Sequence, residues 1–181
     1  MVKSLAEAVA GSDLLFDRER IEREIARIAA GIDADYADGE RPVYLTIMHG
    51  GLPFAAQLAM AMKTDLEFDY LHASRYRGAT TGSGLAWLHR PATPLRGRRV
   101  LLADDILDEG HTLKAVKQWC EDQGAREVRV AVLAVKQYDR CVEGIAADYV
   151  ALEVPDRYVY GYGMDYHEQG RNLPAIYALG T

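Results

Sequence analysis

Residues 104–112 read Asp-Asp-Ile-Leu-Asp-Glu-Gly-His-Thr and follow directly on the apolar run at 100–103. Neighbouring carboxylates such as Asp104 and Asp105 can grip sugar hydroxyls or a hard cation. Placed side by side they also repel, and a metal ion or a donor-rich ligand relieves them. Gly110 permits a tight turn, and the backbone N–H groups of a helix starting near Thr112 suit a phosphate. A carboxylate pair one turn from such a loop points to a phosphorylated sugar. The same cluster could instead be a solvated acidic turn that caps the next helix. It is not a nucleotide-binding P-loop, because the Gly-x-x-x-x-Gly-Lys-[Ser/Thr] pattern is absent, and Gly161-Tyr162-Gly163 is too short for a dinucleotide fingerprint.

The elements that must position these residues alternate in type. Ile21, Ile25, Ile28 and Ile32 recur at helical spacing and predict an amphipathic helix over 17–31. Strands are expected at 43–48, 66–72, 100–103 and 128–135, with a short fifth at 147–152. Pro53 suits the first turn of a helix running to 62, and a further helix is expected over 112–123, stopped by Gly124. Residues 75–84 hold almost nothing to bury and read as a mobile loop, and 91–98 as an exposed connection. The Tyr- and Gly-rich tail from 156 reads as a small appended lobe. Alternation of strands and helices predicts an α/β fold with a central, mostly parallel sheet of about five strands. Ligands bind such sheets beyond the carboxyl ends of the strands. Three candidate sites fall there: Met48-His49-Gly50-Gly51, the acidic run 104–112, and Lys136.

Composition narrows the function classes. The chain has 181 residues, 49% hydrophobic and 27% charged, with a formal net charge of -6. One domain spanning 1–181 is expected, with a substantial core. The negative charge disfavours a general nucleic-acid surface. The first residues lack the apolar run of a signal peptide, and no stretch approaches the ~18 apolar residues of a membrane span. Two cysteines without Cys-x-x-Cys spacing suggest reduced thiols. A cytoplasmic protein without membrane partners is expected. The five histidines show no zinc-ligand spacing, so no structural metal is expected.

The run Val-Leu-Leu-Ala-Asp-Asp-Ile-Leu-Asp-Glu-Gly-His-Thr-Leu resembles the phosphoribosyl-pyrophosphate (PRPP) motif of type I phosphoribosyltransferases. Met48-His49-Gly50-Gly51 resembles the pyrophosphate loop of that family, and Lys136 ends a strand as in its purine enzymes. Asp156-Arg-Tyr-Val-Tyr-Gly-Tyr-Gly-Met-Asp-Tyr166 is similar to the hypoxanthine-guanine branch, and Arg171 falls at that branch's pyrophosphate-binding arginine. The match runs from about residue 43 to 171.

The resemblance implies the type I phosphoribosyltransferase fold. A small hood would be formed mainly by 153–181 and the N-terminal segment, with a lid at 74–88 that begins at Ser74, Arg75 and Tyr76. It implies purine salvage: Mg²⁺-dependent displacement of pyrophosphate from C1 of PRPP by N9 of hypoxanthine or guanine, giving IMP or GMP. Asp104 and Asp105 would hold the ribose hydroxyls, directly or through Mg²⁺ waters, and Asp108 would act at purine N7. Asp108, Glu109, Gly110, His111 and Thr112 would cradle the 5′-phosphate. His49, Gly50 and Arg171 would bind pyrophosphate, after a cis Met48–His49 peptide. Lys136 would donate to O6, Tyr158 would stack on the base, and Val159 and Met164 would complete the base site. Asp165 would meet Mg²⁺ or the exocyclic amine of guanine. A homodimer or homotetramer is implied.

Two departures stand out. His49 occupies a position where Lys or Arg is common, and Asp104-Asp105 stands where several relatives carry Glu-Asp. A xanthine-preferring or hypoxanthine-restricted enzyme remains open. A regulator that keeps the fold to bind nucleic acid would need a basic face, against which the net charge argues.

Overall fold

The computed structural model describes residues 4–75, 85–137 and 140–180. Six strands form the main sheet: β2 (Val43–Ile47), β3 (Glu67–Arg75), β4 (Leu85–His89), β5 (Arg99–Leu107), β6 (Glu127–Lys136) and β7 (Tyr149–Val154), after β1 (Ser12–Phe16). Their order is β4-β3-β2-β5-β6-β7. All neighbours are parallel except β3 and β4, which pair antiparallel. Helices α2 (Arg18–Asp35) and α3 (Leu52–Ala61) cover one face and α4 (His111–Asp122) the other; a short α1 (Leu5–Ala10) precedes β1.

Cover on both faces explains the unbroken apolar runs. On β5, Leu101 and Ala103 join the core under α2 and α3. Val100 and Leu102 alternate to the other side, where they pack with Leu113, Val116 and Cys120 of α4. The apolar stripe of α2, Ile21, Ile25, Ile28 and Ile32, is buried against the sheet. Asp17 caps this helix by accepting the Arg20 N–H at 2.8 Å.

Several boundaries differ from those read in the sequence, each for a packing reason. The sheet has six strands, not five. Residues 85–88, assigned to a lid, belong to β4: Trp87 packs against Trp119 of α4, ring centroids 4.9 Å apart, and draws the segment onto the sheet edge. β5 continues past residue 103 to Leu107, because Asp104, Ile106 and Leu107 stay in register with Val132, Ala134 and Val135 of β6. The acidic pair therefore lies on a strand and not in the loop after it. α2 runs through Gly31 to Asp35.

A second, three-stranded antiparallel sheet joins both ends of the chain in the order β1-β9-β8, with β8 at Val159–Tyr160 and β9 at Ile176–Leu179. The Tyr160 hydroxyl donates to Ser12 at 2.9 Å, and Arg157 pairs with Asp13 at 2.7 Å.

The end of β5 away from the carboxylates is pinned by Arg99. Its buried guanidinium lies 3.9 Å from the Tyr36 ring centroid and bridges to Asp38 and Glu127. The turn from α3 into β3 is held by Asp33, which accepts the Lys63 and Thr64 N–H groups at 2.9 Å each and the Thr64 hydroxyl at 2.7 Å. Burial opposes ionisation of Asp33, but these hydrogen bonds outweigh it and hold its carboxyl below the usual range. Its stabilising contribution is therefore full above the ordinary carboxyl pKa and fades as pH falls through the depressed folded value. Asp33→Ala should cost about 1–3 kcal/mol at pH 7. Urea denaturation should show that penalty shrinking below about pH 4; an equal penalty at both pH values would contradict it.

Candidate active site

The carboxyl ends of β2, β3, β5 and β6 open toward the lobe built from the chain termini. Two adjoining cavities lie there. The larger, about 440 Å³, is lined by Met48, His49 and Gly50 after β2, His72 on β3, Asp104 to Thr112 around the end of β5, and Arg171 from the lobe. The smaller, about 170 Å³, is lined by Lys136 at the end of β6 and by Tyr158, Val159, Met164 and Asp165 of the lobe. Asp105, Ile106 and Asp108 line both.

The larger cavity combines anion and cation chemistry. Asp104 and Asp105 end the buried stretch of β5; the Asp105 N–H donates to Asp104 at 3.0 Å and the Ile106 N–H to Asp105 at 2.8 Å. Burial, with the neighbouring Asp105 charge, pushes the Asp104 carboxyl well above its ordinary value. Asp105 is also raised by burial, held back by hydrogen bonds from Asp104 and Ile106 and by the charge of Arg171. Beyond them Gly110 begins α4 at φ 79°. A Cβ there would meet Ile145 at 2.8 Å, so only glycine fits the turn. Among the described residues no side chain caps α4. Its first turn, His111 to Leu113, lines the cavity and leaves N–H groups for an anion.

Opposite, the Met48–His49 peptide is cis. Gly50 follows, and a Cβ on it would stand 2.0 Å from the Asp105 carboxylate. The lobe meets this loop at Gly163, whose own Cβ would lie 2.0 Å from the Gly50 carbonyl oxygen. Arg171 anchors the same corner: it donates to the Gly163 carbonyl at 2.7 Å and pairs with Asp165 at 2.8 Å.

In the smaller cavity Lys136 pairs with Asp108 at 2.9 Å; the lysine is nearly buried and the carboxylate half open. Tyr158 is 45% exposed, its ring available on the cavity wall. Its hydroxyl donates to the Asp165 carbonyl at 3.1 Å. The second Asp165 carboxylate oxygen accepts the Glu168 N–H at 2.8 Å. Val159, buried, sits on β8 paired to Ala178.

Every site residue read from the sequence therefore lines one of the two cavities, except those of the lid. Ser74 and Arg75 end the backbone of β3, and Tyr76 with 77–84 lies outside the described residues. Among the lining residues that carry no role in the sequence reading are Ile47 and Ala73, which are apolar wall, and Ile106 and His72. Ile106 separates the compartments from within β5, and His72 sits on β3 with its ring 4.3 Å from that of His49. A lone polar residue between Leu71 and Ala73 near a strand's carboxyl end was the available sign of His72. Among the described residues no group of three or more His, Cys, Asp or Glu could hold a metal ion. A cation here would complete its shell from water and ligand oxygens.

The family model of the phosphoribosyl transferase domain matches residues 11–167. The hypoxanthine-guanine phosphoribosyltransferase of Streptococcus pneumoniae strain R6 is 36% identical over 167 residues, 92% of each chain. The Bacillus subtilis protein of that description is 34% identical over the same share. A Staphylococcus aureus hypoxanthine phosphoribosyltransferase structure superposes with a TM-score of 0.88 at 28% identity, covering 98% of this chain and 96% of its own. The chain belongs to the phosphoribosyltransferase family, on the α/β fold of its type I members.

The Gly50–Gly163 contact joins the two halves of the site. Gly163→Ala should destabilise the protein by about 1 kcal/mol or more, since φ 106° and the Gly50 carbonyl both oppose a methyl group. Calorimetry should show Tm lower by at least about 2–4 °C. An unchanged Tm would show that the lobe does not depend on this approach.

Proposed function

We propose that this phosphoribosyltransferase serves purine salvage, transferring the 5-phosphoribosyl group of PRPP to N9 of hypoxanthine or guanine. Its main support is the junction of the two cavities. A phosphate-and-sugar compartment meets a compartment with a flat ring, Tyr158, and a nearly buried donor, Lys136, and Asp105 and Asp108 stand in the common wall.

In the reaction the C1–O bond to pyrophosphate breaks, the C1–N9 bond forms, and the purine gives up one proton. The transition state is oxocarbenium-like, so positioning, charge stabilisation and exclusion of water carry the rate. Asp104 and Asp105 hold the ribose 2′- and 3′-hydroxyls. The N–H groups from Glu109 to Thr112, with the Thr112 hydroxyl, seat the 5′-phosphate. His49, Gly50 and Arg171 receive the leaving pyrophosphate. Asp108 takes or holds the N7 proton. Lys136 donates to O6, Tyr158 stacks on the ring, and the Val159 backbone and Met164 border its edge. Ser74, Arg75 and Tyr76 begin a lid that excludes water.

Mg²⁺ is the cofactor we assign, and the donor set fits a hard cation: all-oxygen carboxylates on one cavity wall and too few protein ligands for a closed cage. Asp104 and Asp105 would hold it, with Asp165 as a further ligand once freed from Arg171. When bound, it offsets the charge of pyrophosphate.

One domain, with β1, β8 and β9 as its hood, completes the proposal. Its partners are small molecules and not nucleic acid or membrane. Exposed Phe68, Tyr70 and Leu88 on β3 and β4 favour a homodimer or homotetramer, and free Cys120 and Cys141 a cytoplasmic location. Among the described residues no helix is long and apolar enough to cross a membrane.

Steady-state turnover with PRPP, Mg²⁺ and hypoxanthine, guanine, xanthine or adenine tests the assignment. Hypoxanthine and guanine should react, with adenine lower in kcat/KM by at least about 10²-fold, because its amino group opposes the Lys136 donor. No product with any base would refute the activity; adenine equal to hypoxanthine would refute the role of Lys136. Asp108→Asn should lower kcat by about 10²- to 10⁴-fold with little change in KM for PRPP. Wild-type turnover in that variant would remove Asp108 from the chemistry.

A further inference from the structure

We infer that His72 is a second imidazole ligand for pyrophosphate, acting with His49 so that the seat takes up protons as the anion binds. The inference rests on the pyrophosphate seat proposed above and adds to it a residue and a proton balance. His49 comes from the loop after β2 and His72 from β3, yet their rings meet at 4.3 Å and 61°. Both line the larger cavity, as does Arg171.

Two imidazoles this close cannot both carry charge cheaply in the empty cavity. Burial lowers the His72 pKa, and the charges of His49 and then Arg171 push it the same way. Among the described residues the other charged or titratable groups about it are His89, its register partner on β4, and Asp104, Asp105, Asp108, Glu109 and His111 in the lining of the same cavity. In the empty seat His72 is therefore mainly neutral near pH 7. A pyrophosphate anion reverses the local field and favours the protonated His72 ring, so binding draws a proton from solvent. The sign follows: affinity is full below the pKa of the free His72 ring, falls as pH rises from there, and levels off above the higher pKa of the bound ring. An imidazolium also donates from both ring nitrogens, suited to the separate oxygens of a diphosphate.

Histidine-ring NMR titration between pH 5.5 and 8.5, with and without inorganic pyrophosphate and Mg²⁺, tests this on the unmodified protein. H72Q and H49Q assign the signals. Saturating pyrophosphate should raise the apparent pKa of His72 by about one unit or more. Pyrophosphate Kd should weaken with rising pH by up to about tenfold more per unit in the unmodified protein than in H72Q. An unmoved His72, or H72Q with unchanged affinity and pH dependence, would overturn the inference. Purine turnover on the same samples separates the outcomes. Intact turnover with an unmoved His72 refutes this inference alone, whereas no turnover with any base refutes the parent proposal.

Discussion

Two carboxylates side by side near the carboxyl end of a central strand are the constraint to which the rest of the site answers. β5 lies between β2 and β6, and Asp104 remains in the ladder opposite Val132, so the pair cannot swing away to water. The surroundings accommodate what cannot move. Gly50 leaves the space in which the Asp105 carboxylate sits. The Ile106 N–H satisfies one of its oxygens, and Arg171 brings positive charge to the same cavity. A partly buried carboxylate pair of this kind costs stability when ionised unless donors or cations reach it. That cost is the physical reason the proposed ligand, rich in hydroxyls and accompanied by a cation, would suit the site.

The remaining charges are stored in pairs. Lys136 faces Asp108 and Arg171 faces Asp165, each within 2.9 Å. Removing one member of such a pair leaves the other uncompensated in a partly desolvated site. On the proposed assignment, substrate entry would be an exchange of partners. Purine N7 and O6 would divide Asp108 from Lys136, and pyrophosphate would draw Arg171 from Asp165. Both exchanges conserve charge compensation, which makes the empty and filled states alike tolerable to the fold.

Much of this was legible in the chain, and the limits have physical causes. The run from Asp104 to Thr112 declares itself because carboxylates, glycine and threonine in that order have few purely structural uses. Lys136 was legible as a charge at the end of an apolar strand. β4 was not, because its reason for existing is the distant contact of Trp87 with Trp119, which no local pattern announces. The extension of β5 through two aspartates contradicts strand propensity and is decided by pairing with β6. His72 carries only a faint local sign, a polar residue between Leu71 and Ala73, since its meaning comes from His49 on another element. The antiparallel sheet of both termini was only partly foreseen, since β1 finds its partner far along the chain.

That last pairing bears on how the molecule is made. β1 hydrogen-bonds to β9, so Ser12 meets Leu179 across almost the whole length of the polypeptide. During synthesis the main sheet can assemble strand by strand, while the edge of β1 stays open until β9 emerges. The wall that carries Tyr158, Asp165 and Arg171 closes on the same late event. On the proposed assignment, a growing chain would hold the sugar-phosphate half of its site before it had anywhere to put a base, and the step that completes the site is one of the longest-range contacts in the fold.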